Sequence, residues 1–196
     1  ASNNTAVGYQ AGTANTTGQQ NVAIGYQSLY SNTTADFNTA LGWQALYSNT
    51  TGTFNVGISP YSLHNTTTGS SNIAIGYQAI ENNTTGSNNV AVGYKAHEGS
   101  GATTASNNIA IGYEALKGIT IGTQNVAMGT SALDANTTAS YNIAIGYRAG
   151  SSNTTGRIVV VGADALLDNT TGTNNVGIGD NALQSNTTGG NNTAVG

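Results

Sequence analysis

Short segments in which small or polar residues alternate with larger, mostly apolar residues recur along the whole chain, about one in every 17 residues. They read Asn-x-Ala-x-Gly, as in residues 21–25 and 72–76, and the x positions are mostly β-branched. Alternation with a period of two is typical of a β-strand, whereas recurrence at a fixed interval is typical of stacked repeats. The pattern therefore predicts a series of equivalent short strands.

The repeat aligns on the last residue of this segment. The aligned positions are Gly8, Gly25, Gly42, Ser59, Gly76, Gly93, Gly112, Gly129, Gly146, Gly162, Gly179 and Gly196. The spacing is 17 residues, with 19 after Gly93 and 16 after Gly146. A unit of this length is too short for a helical hairpin or a propeller blade, and its glycines and β-branched residues disfavour helix. We predict an all-β fold in which residues 1–196 form a single repetitive rod.

The predicted architecture is a parallel β-solenoid, or β-roll, of about twelve 17-residue coils with two short strands per coil. One strand covers the Asn-x-Ala-x-Gly segment, and the other covers segments such as residues 45–48. The Asn-Thr-Thr-Gly segments supply turns, because Asn and Thr side chains bond local backbone and glycine accepts a positive φ. Equivalent residues of successive coils then stack in columns about 4.8 Å apart.

Three apolar columns are predicted to form the core. The first contains Val7, Ile24, Leu41, Ile58, Ile75, Val92, Ile111, Met128, Ile145, Val161, Ile178 and Val195. The second lies two residues earlier on the same strand and contains Thr5, Val22, Thr39, Val56, Ile73, Val90, Ile109, Val126, Ile143, Val159, Val176 and Thr193. The third closes the core from the second strand and contains Leu29, Leu46, Leu63, Ile80, Leu116, Leu133, Leu166 and Leu183. Gly12, His97 and Gly150 interrupt the third column.

The opposite face of the first strand carries only small residues in most coils. They are Ala23, Ala40, Gly57, Ala74, Ala91, Ala110, Ala127, Ala144 and Gly177. A face open to water has no reason to exclude larger side chains, so we expect it to pack against the same face of another copy. The alternative is a thin core that contains both faces of the strand in part.

Asparagine stands four residues before the aligned glycine in all coils but one. The column contains Asn4, Asn21, Asn38, Asn55, Asn72, Asn89, Asn108, Asn125, Asn142, Asn175 and Asn192. It predicts a structural amide ladder in which each amide bonds the next coil. The register also places Lys95 one coil before Glu114 and Arg148 one coil before Asp164, which predicts ion pairs between adjacent coils.

The few charged residues restrict the classes of function. They make up 6% of the chain, with a net charge of −4. Four Lys and Arg residues cannot neutralise a phosphate backbone, so we expect no nucleic-acid partner. The chain has no Cys, and no apolar run long enough to insert in a membrane. His64 and His97 are two coils apart and lack paired carboxylates, so we predict no catalytic residue, no metal site, no cofactor and no enzyme activity.

Two adjacent columns of threonine suggest an alternative role. The first contains Thr16, Thr33, Thr50, Thr67, Thr84, Thr103, Thr120, Thr137, Thr154, Thr170 and Thr187, and the following residue is also Thr in every coil except at Ile121. Hydroxyl and methyl arrays on a rigid rod are what an ice-binding solenoid uses. Adjacent residues of an extended chain point to opposite sides, however, and a flat face needs Thr-x-Thr spacing. Turn chemistry is the interpretation that we favour.

An aromatic column follows the aligned glycine. It contains Tyr9, Tyr26, Trp43, Tyr77, Tyr94, Tyr113 and Tyr147. These rings are candidates for binding sugars at a receptor surface, although stacking that covers the turn is the simpler interpretation. Asn-x-Thr sequons such as residues 15–17 and 49–51 also recur, and they are glycan acceptors only in a secretory pathway that modifies them.

Residues 21–25, 72–76 and 142–146 resemble the head repeats of trimeric autotransporter adhesins. The longer phrase Asn-x-Ala-Ile-Gly-Tyr-Gln-Ala-Leu, followed by Asn-Thr-Thr-Gly, is similar to repeats of bacterial surface proteins and phage tail fibres. The resemblance implies a homotrimeric, structural or adhesive fibre that is extracellular, at a cell surface or on a virion. The implied partners are other copies of the chain and a host-surface glycan or protein. Because both ends fall inside a repeat, we also expect either a fragment of a longer fibre or coils that continue end to end into another copy.

Overall fold

The computed structural model describes residues 2–196, which form one stack of parallel strands without any helix. The strands are β1 (Thr5–Val7), β2 (Val22–Ile24), β3 (Thr39–Leu41), β4 (Val56–Ile58), β5 (Ile73–Ile75), β6 (Val90–Val92), β7 (Ile109–Ile111), β8 (Val126–Met128), β9 (Ile143–Ile145), β10 (Ile158–Val161), β11 (Asn175–Ile178) and β12 (Thr193–Val195). They lie side by side in chain order, from β1 to β12. The predicted parallel β-solenoid is therefore confirmed.

The register between strands follows the 17-residue repeat. Ala23 pairs with Ala40, as the alignment requires. The 19-residue coil leaves the register intact, since Val90 of β6 pairs with Ile109 of β7. The shorter coil does the same, because Ile143 of β9 pairs with Val159 of β10. Both changes in length are therefore absorbed outside the strands.

Each coil contributes one strand to the sheet, and the predicted second strand over residues 45–48 is a turn. Gln44 and Leu46 adopt φ values of 52° and 53°, which are left-handed rather than extended. The turns nevertheless stack, because Leu46 N donates to Ser62 O at 3.0 Å in the next coil. The wall opposite the sheet is therefore a stack of hydrogen-bonded turns.

The sheet faces the core with its small residues, which is the reverse of the prediction. Ala40 is fully buried, whereas its strand neighbour Leu41 is 42% exposed. The same alternation runs through β2 to β11, where the Ala, Gly and Val160 positions are buried and both flanking columns point outwards. Assigning the first two apolar columns to the core was wrong. Assigning the Ala and Gly face to an interface between copies was wrong as well.

The narrow interior explains this orientation. A Cβ atom added to Gly57 would lie 3.0 Å from Ser62 Oγ and 3.5 Å from Leu46 Cδ1, across the coil. A Cβ atom added to Gly177 would lie 3.2 Å from Leu166 Cδ1. The opposite wall therefore approaches so closely that only Ala or Gly fits on the sheet side in nearly every coil. The predicted leucine column is confirmed, since Leu29, Leu46, Leu63, Ile80, Leu116, Leu133 and Leu166 are buried.

The two glycine interruptions of the leucine column have a backbone cause. Leucines in this column adopt φ values near 50°, for example 53° at Leu63. Gly12 and Gly150 both adopt φ 58° at the equivalent position. Left-handed backbone is unfavourable for residues with a side chain and free for glycine, so glycine exchanges core packing for lower backbone strain.

Candidate functional site

The asparagine column forms a ladder inside the wall of the coil, unbroken from Asn4 to Asn142. Asn21 N donates to Asn4 Oδ1 at 2.8 Å, and Asn38 N donates to Asn21 Oδ1 at 2.9 Å. Asn38 Nδ2 also donates to Gly52 O at 2.8 Å, which ties the strand to the turn of the next coil. At the exception in the column, Ile158 N still donates to Asn142 Oδ1 at 2.7 Å. The ladder is buried, so its work is structural.

A second asparagine ladder was missed by the sequence analysis, which assigned these residues to turns. It is built by the first residue of the Asn-Thr-Thr segments. Asn49 Nδ2 donates to Asn32 Oδ1 and to Gly52 O, both at 3.0 Å. Asn32 and Asn49 are fully buried, so these sequons are closed to modification once the rod has folded. The recurrence of Asn at one position of the coil was the signal for this ladder.

The largest candidate surface is the outer side of the sheet, which we call the apolar face. It consists of the two columns that begin at Thr5 and Val7, and 21 of its 24 positions are Val, Ile, Leu or Met. Ile75 is 39% exposed, and its neighbours along the rod are similar. Eleven strand spacings of about 4.8 Å give the face a length of about 50 Å, and two columns two residues apart give it a width of about 7–10 Å, so its area is roughly 350–500 Å². The largest patch on a typical monomer is about 300–600 Å².

The aromatic column also lies on the surface, and its rings stack from coil to coil. Tyr9 and Tyr26 stack at 5.4 Å between ring centroids, Tyr77 and Tyr94 at 5.6 Å, and Tyr94 and Tyr113 at 5.1 Å. Tyr26 meets Trp43 edge-on at 6.0 Å. Each of these rings is about half exposed. The predicted stacking is therefore present, and it leaves the edges of the rings open to a ligand.

One residue that extends this row was missed. Pro60 occupies the aromatic position of its coil, but Tyr61 lies 5.6 Å from Trp43 and 5.9 Å from Tyr77. The row is therefore continuous from Tyr9 to Tyr113, which we call the aromatic row. Tyr147 lies outside it and instead has the Arg148 guanidinium 5.7 Å above its ring.

Two shorter aromatic stacks were also missed. Tyr30, Tyr47 and His64 stack at 5.1 Å and 5.2 Å, and Phe37 stacks on Phe54 at 4.9 Å. Both sets recur at 17-residue spacing, which was the signal in the sequence.

The ion pairs agree with the register only in part. Arg148 Nε lies 3.5 Å from Asp164 Oδ1 in the adjacent coil, as predicted. The predicted pair of Lys95 with Glu114 is wrong, because Lys95 Nζ contacts Glu98 at 3.0 Å in its own coil. Glu114 likewise pairs with Lys117 at 3.0 Å. The turn brings residues three apart together, so both lysines contact a carboxylate within their own coil.

The longer coil creates a cleft of about 310 Å³ at its insertion, lined by Glu98, Gly99, Ser100, Lys117, Gly118 and Asp134. Burial raises the pKa of the Asp134 carboxyl, and the hydrogen bond from Lys95 to Glu98 raises the pKa of Lys95. Lys117 lines the cleft, but its Nζ pairs with Glu114, which is not one of the lining residues. No group of three or more His, Asp or Glu side chains within residues 2–196 could hold a metal ion.

His97 is a buried polar side chain in the leucine column, beside this insertion. Its Nε2 lies 3.5 Å from Asn108 Nδ2, and its Nδ1 has no hydrogen-bond partner. Burial lowers the pKa of His97 to about 4, an effect only partly offset by its own backbone. The imidazole is therefore neutral at physiological pH and has no contact with a carboxylate.

The two threonine columns have different environments. In the first, the hydroxyl is occupied: Thr50 Oγ1 donates to Thr67 O at 3.1 Å, and Thr67 Oγ1 donates to Thr84 O at 3.1 Å. These bonds tie one turn to the next, in agreement with turn chemistry. In the second column, for example at Thr51 and Thr68, the side chain is exposed.

Comparisons with known proteins add no relative. No family model matches the chain, and neither a curated protein nor a solved structure matches it. Across the described residues, no helix has the length and apolar character needed to cross a membrane. The exposed surfaces of the rod are therefore the candidate functional sites.

Proposed function

We propose that this chain is a structural segment of an extracellular fibre, such as a surface adhesin or a phage tail-fibre shaft, in which copies associate through the apolar face. The observation that carries the proposal is the exposure of Val, Ile, Leu and Met along both outer columns of the sheet. The face is as large as the largest apolar patch on a typical monomeric protein, and patches of that size are often functional. Covering the face with further copies removes the surface from water in every coil at once.

A second copy is a suitable occupant because the face has no charge and a fixed repeat. Every position of the two columns is apolar or Thr, so no buried charge would result. Two rods of the same repeat keep their side chains in step along the whole contact, which is the condition for close packing. We propose three rods around a common axis, since trimers are what the resemblance to adhesin heads implies.

The adhesive part of the proposal rests on the aromatic row. The row lies beyond the aligned glycine, at the edge of the sheet, so it stays accessible when the apolar face is covered. Half-exposed tyrosines combine an apolar ring with a hydroxyl that bonds water or ligand, a combination common at binding surfaces. A host-surface glycan or protein is the partner that we propose for it.

Light scattering after size exclusion tests the association. We expect the wild-type mass to lie near three chains. A variant with Thr at Ile109, Ile111, Ile143 and Ile145 should dissociate towards a single chain, because it replaces apolar contacts with hydroxyls. Thr already occupies this face at Thr5 and Thr39, so the fold should be retained, as circular dichroism would verify.

The matched control is Phe54→Ser, which removes an exposed apolar side chain elsewhere and introduces the residue found at the equivalent Ser71. Its mass should equal that of the wild type. A wild-type chain that stays monomeric at high concentration would rule out the proposal.

A further inference from the structure

The exposed threonines belong to a second surface, which we call the hydroxyl face. In six consecutive coils it consists of Thr51 and Thr53, Thr68 and Ser70, Thr85 and Ser87, Thr104 and Ser106, Ile121 and Thr123, and Thr138 and Ser140. The residue between the members of each pair is Gly or Ala and is buried. Both members therefore point outwards. The spacing that a flat hydroxyl surface needs is therefore present, as Thr-x-Thr or Thr-x-Ser. It is formed by pairs such as Thr51 and Thr53, and not by adjacent threonines such as Thr50 and Thr51.

The outer threonines of this face have free hydroxyl groups. Within residues 2–196, the side chains of Thr51, Thr68, Thr85, Thr104 and Thr138 are exposed and make no hydrogen bond to protein. In contrast, the neighbouring Thr84 Oγ1 donates to Thr103 O at 2.9 Å. Donors and acceptors of the outer column are thus available to water, at intervals fixed by the coil spacing of about 4.8 Å.

The inner column is held in place by the backbone. Thr53 N donates to Ser70 Oγ at 3.0 Å, and Ser70 N donates to Ser87 Oγ at 3.0 Å. Ser87 N donates to Ser106 Oγ at 3.0 Å, so three successive coils share the arrangement. Each such hydroxyl accepts one bond from the coil before it; Ser70 and Ser87 still have their own hydrogen to donate, whereas Ser106 Oγ donates to Thr104 O at 3.4 Å. The positions of these oxygens are therefore set by the rod and not by free rotation of the side chain.

The face is also neutral and bounded. None of its twelve positions carries a charge, and the equivalent positions in the flanking coils are Asp36 on one side and Arg157 on the other. Charged groups impose their own hydration shell, whereas hydroxyl and methyl groups accept water in a lattice set by their spacing. Phe54 and Asn55 stand between this face and the apolar face, and the backbone at Phe54 is left-handed, with φ 59°.

We propose that the hydroxyl face binds ice. The ligand is the ordered water of an ice surface, whose oxygen atoms repeat at distances close to the spacing of the coils. The outer hydroxyls supply free donors and acceptors, the inner hydroxyls are held at fixed positions, and the methyl groups of Thr and the side chain of Ile121 fill the space between them. This activity uses a different face from the fibre contact and does not depend on it.

The test measures thermal hysteresis, inhibition of ice recrystallisation and partition of the protein into a growing ice hemisphere. The wild-type chain should be enriched in the ice and should slow recrystallisation. Thr85→Lys places a long charged side chain in the middle of the face, so it should reduce both the enrichment in ice and the inhibition of recrystallisation several-fold. Thr130→Lys is the matched control, because it makes the same exchange at an exposed threonine on another side of the rod, and it should retain wild-type activity.

Light scattering on the same samples separates this proposal from the fibre proposal, since neither lysine variant should change the mass. Wild-type protein that is excluded from ice would overturn the inference while leaving self-association untouched. Equal activity of Thr85→Lys and Thr130→Lys would also overturn it, because the activity would then not lie on this face.

Discussion

Replacing His97 with leucine should stabilise the rod, and more so in acid. Leucine occupies the equivalent position in seven other coils, and Leu63 there has the same φ of 53° as His97. In the wild type, the buried Nδ1 without a hydrogen-bond partner costs the folded state about 1–3 kcal/mol, and the substitution removes this cost. Asn108 loses its weak contact with the ring but keeps its bond to Gly122 O at 2.9 Å.

The pH dependence follows from the lowered pKa of His97. Between pH 6.5 and about 4 the unfolded chain binds a proton that the folded rod does not, so stability falls as the pH falls through this range. The pKa of His97 is about 4 in the folded rod, against an ordinary value of 6.5 in the unfolded chain. The wild-type rod therefore loses about 3 kcal/mol of stability by the time the pH has fallen to about 4. The advantage of His97→Leu should therefore be smallest at pH 7 and largest near pH 4.

Urea unfolding followed by circular dichroism at pH 7, 5.5 and 4 measures this difference. Amide hydrogen exchange in β6 and β7 localises it, because neighbouring coils of a repeat protein open semi-independently. An advantage of His97→Leu that stays constant with pH would refute the reasoning, since the proton linkage would then lie elsewhere.

Two further substitutions test the interior. Leu63→Ala should cost about 2–5 kcal/mol in urea unfolding, because it opens a cavity between turn and sheet that rigid walls cannot close; a cost similar to that of an exposed residue would contradict the core. Asn72→Ala should cost about 1–3 kcal/mol, since Asn89 N loses its acceptor and Gly86 O keeps only the bond from Asn83 Nδ2, and increased amide exchange at Asn89 would be the specific sign. Unchanged exchange there would mean that the ladder does not carry that bond.

The register of the stack could be predicted from the sequence because it depends on local spacing. The interval of 17 residues between Ala23 and Ala40 is enough to pair β2 with β3. The positions of the longer and shorter coils could be read in the same way.

The side of the sheet that faces inwards could not be predicted from hydrophobicity alone. The hydrophobicity of Ile75 indicates how much free energy its burial would contribute. The space inside the coil, however, depends on how closely the turns approach the sheet. That distance becomes visible only in contacts such as the one between the Gly57 position and Leu46 Cδ1. The constancy of the Ala and Gly column was the right signal, and it indicates a shortage of space inside the coil.

The hydroxyl face and the aromatic row could be predicted from the sequence only in part, for related reasons. Thr51 and Thr53 form a pair only because Gly52 between them turns inwards, and a plain column of adjacent threonines conceals this. Tyr61 joins the aromatic row from a neighbouring position because Pro60 takes the aligned one. Both cases depend on how the chain turns a corner, which a repeat alignment does not describe.

The way in which the longer coil is accommodated has a consequence for how such a gene changes. Its extra residues fall in a segment that includes exposed Ser100, Gly101 and Ala102, while β6 and β7 still pair in register. Changes that preserve whole coils should be tolerated more readily still. Recombination between repeated stretches of DNA adds or removes whole units, so descendants differ in length by integer numbers of coils. The length of the rod can then change in steps of whole coils, and each resulting chain keeps the pairing on which the fold depends.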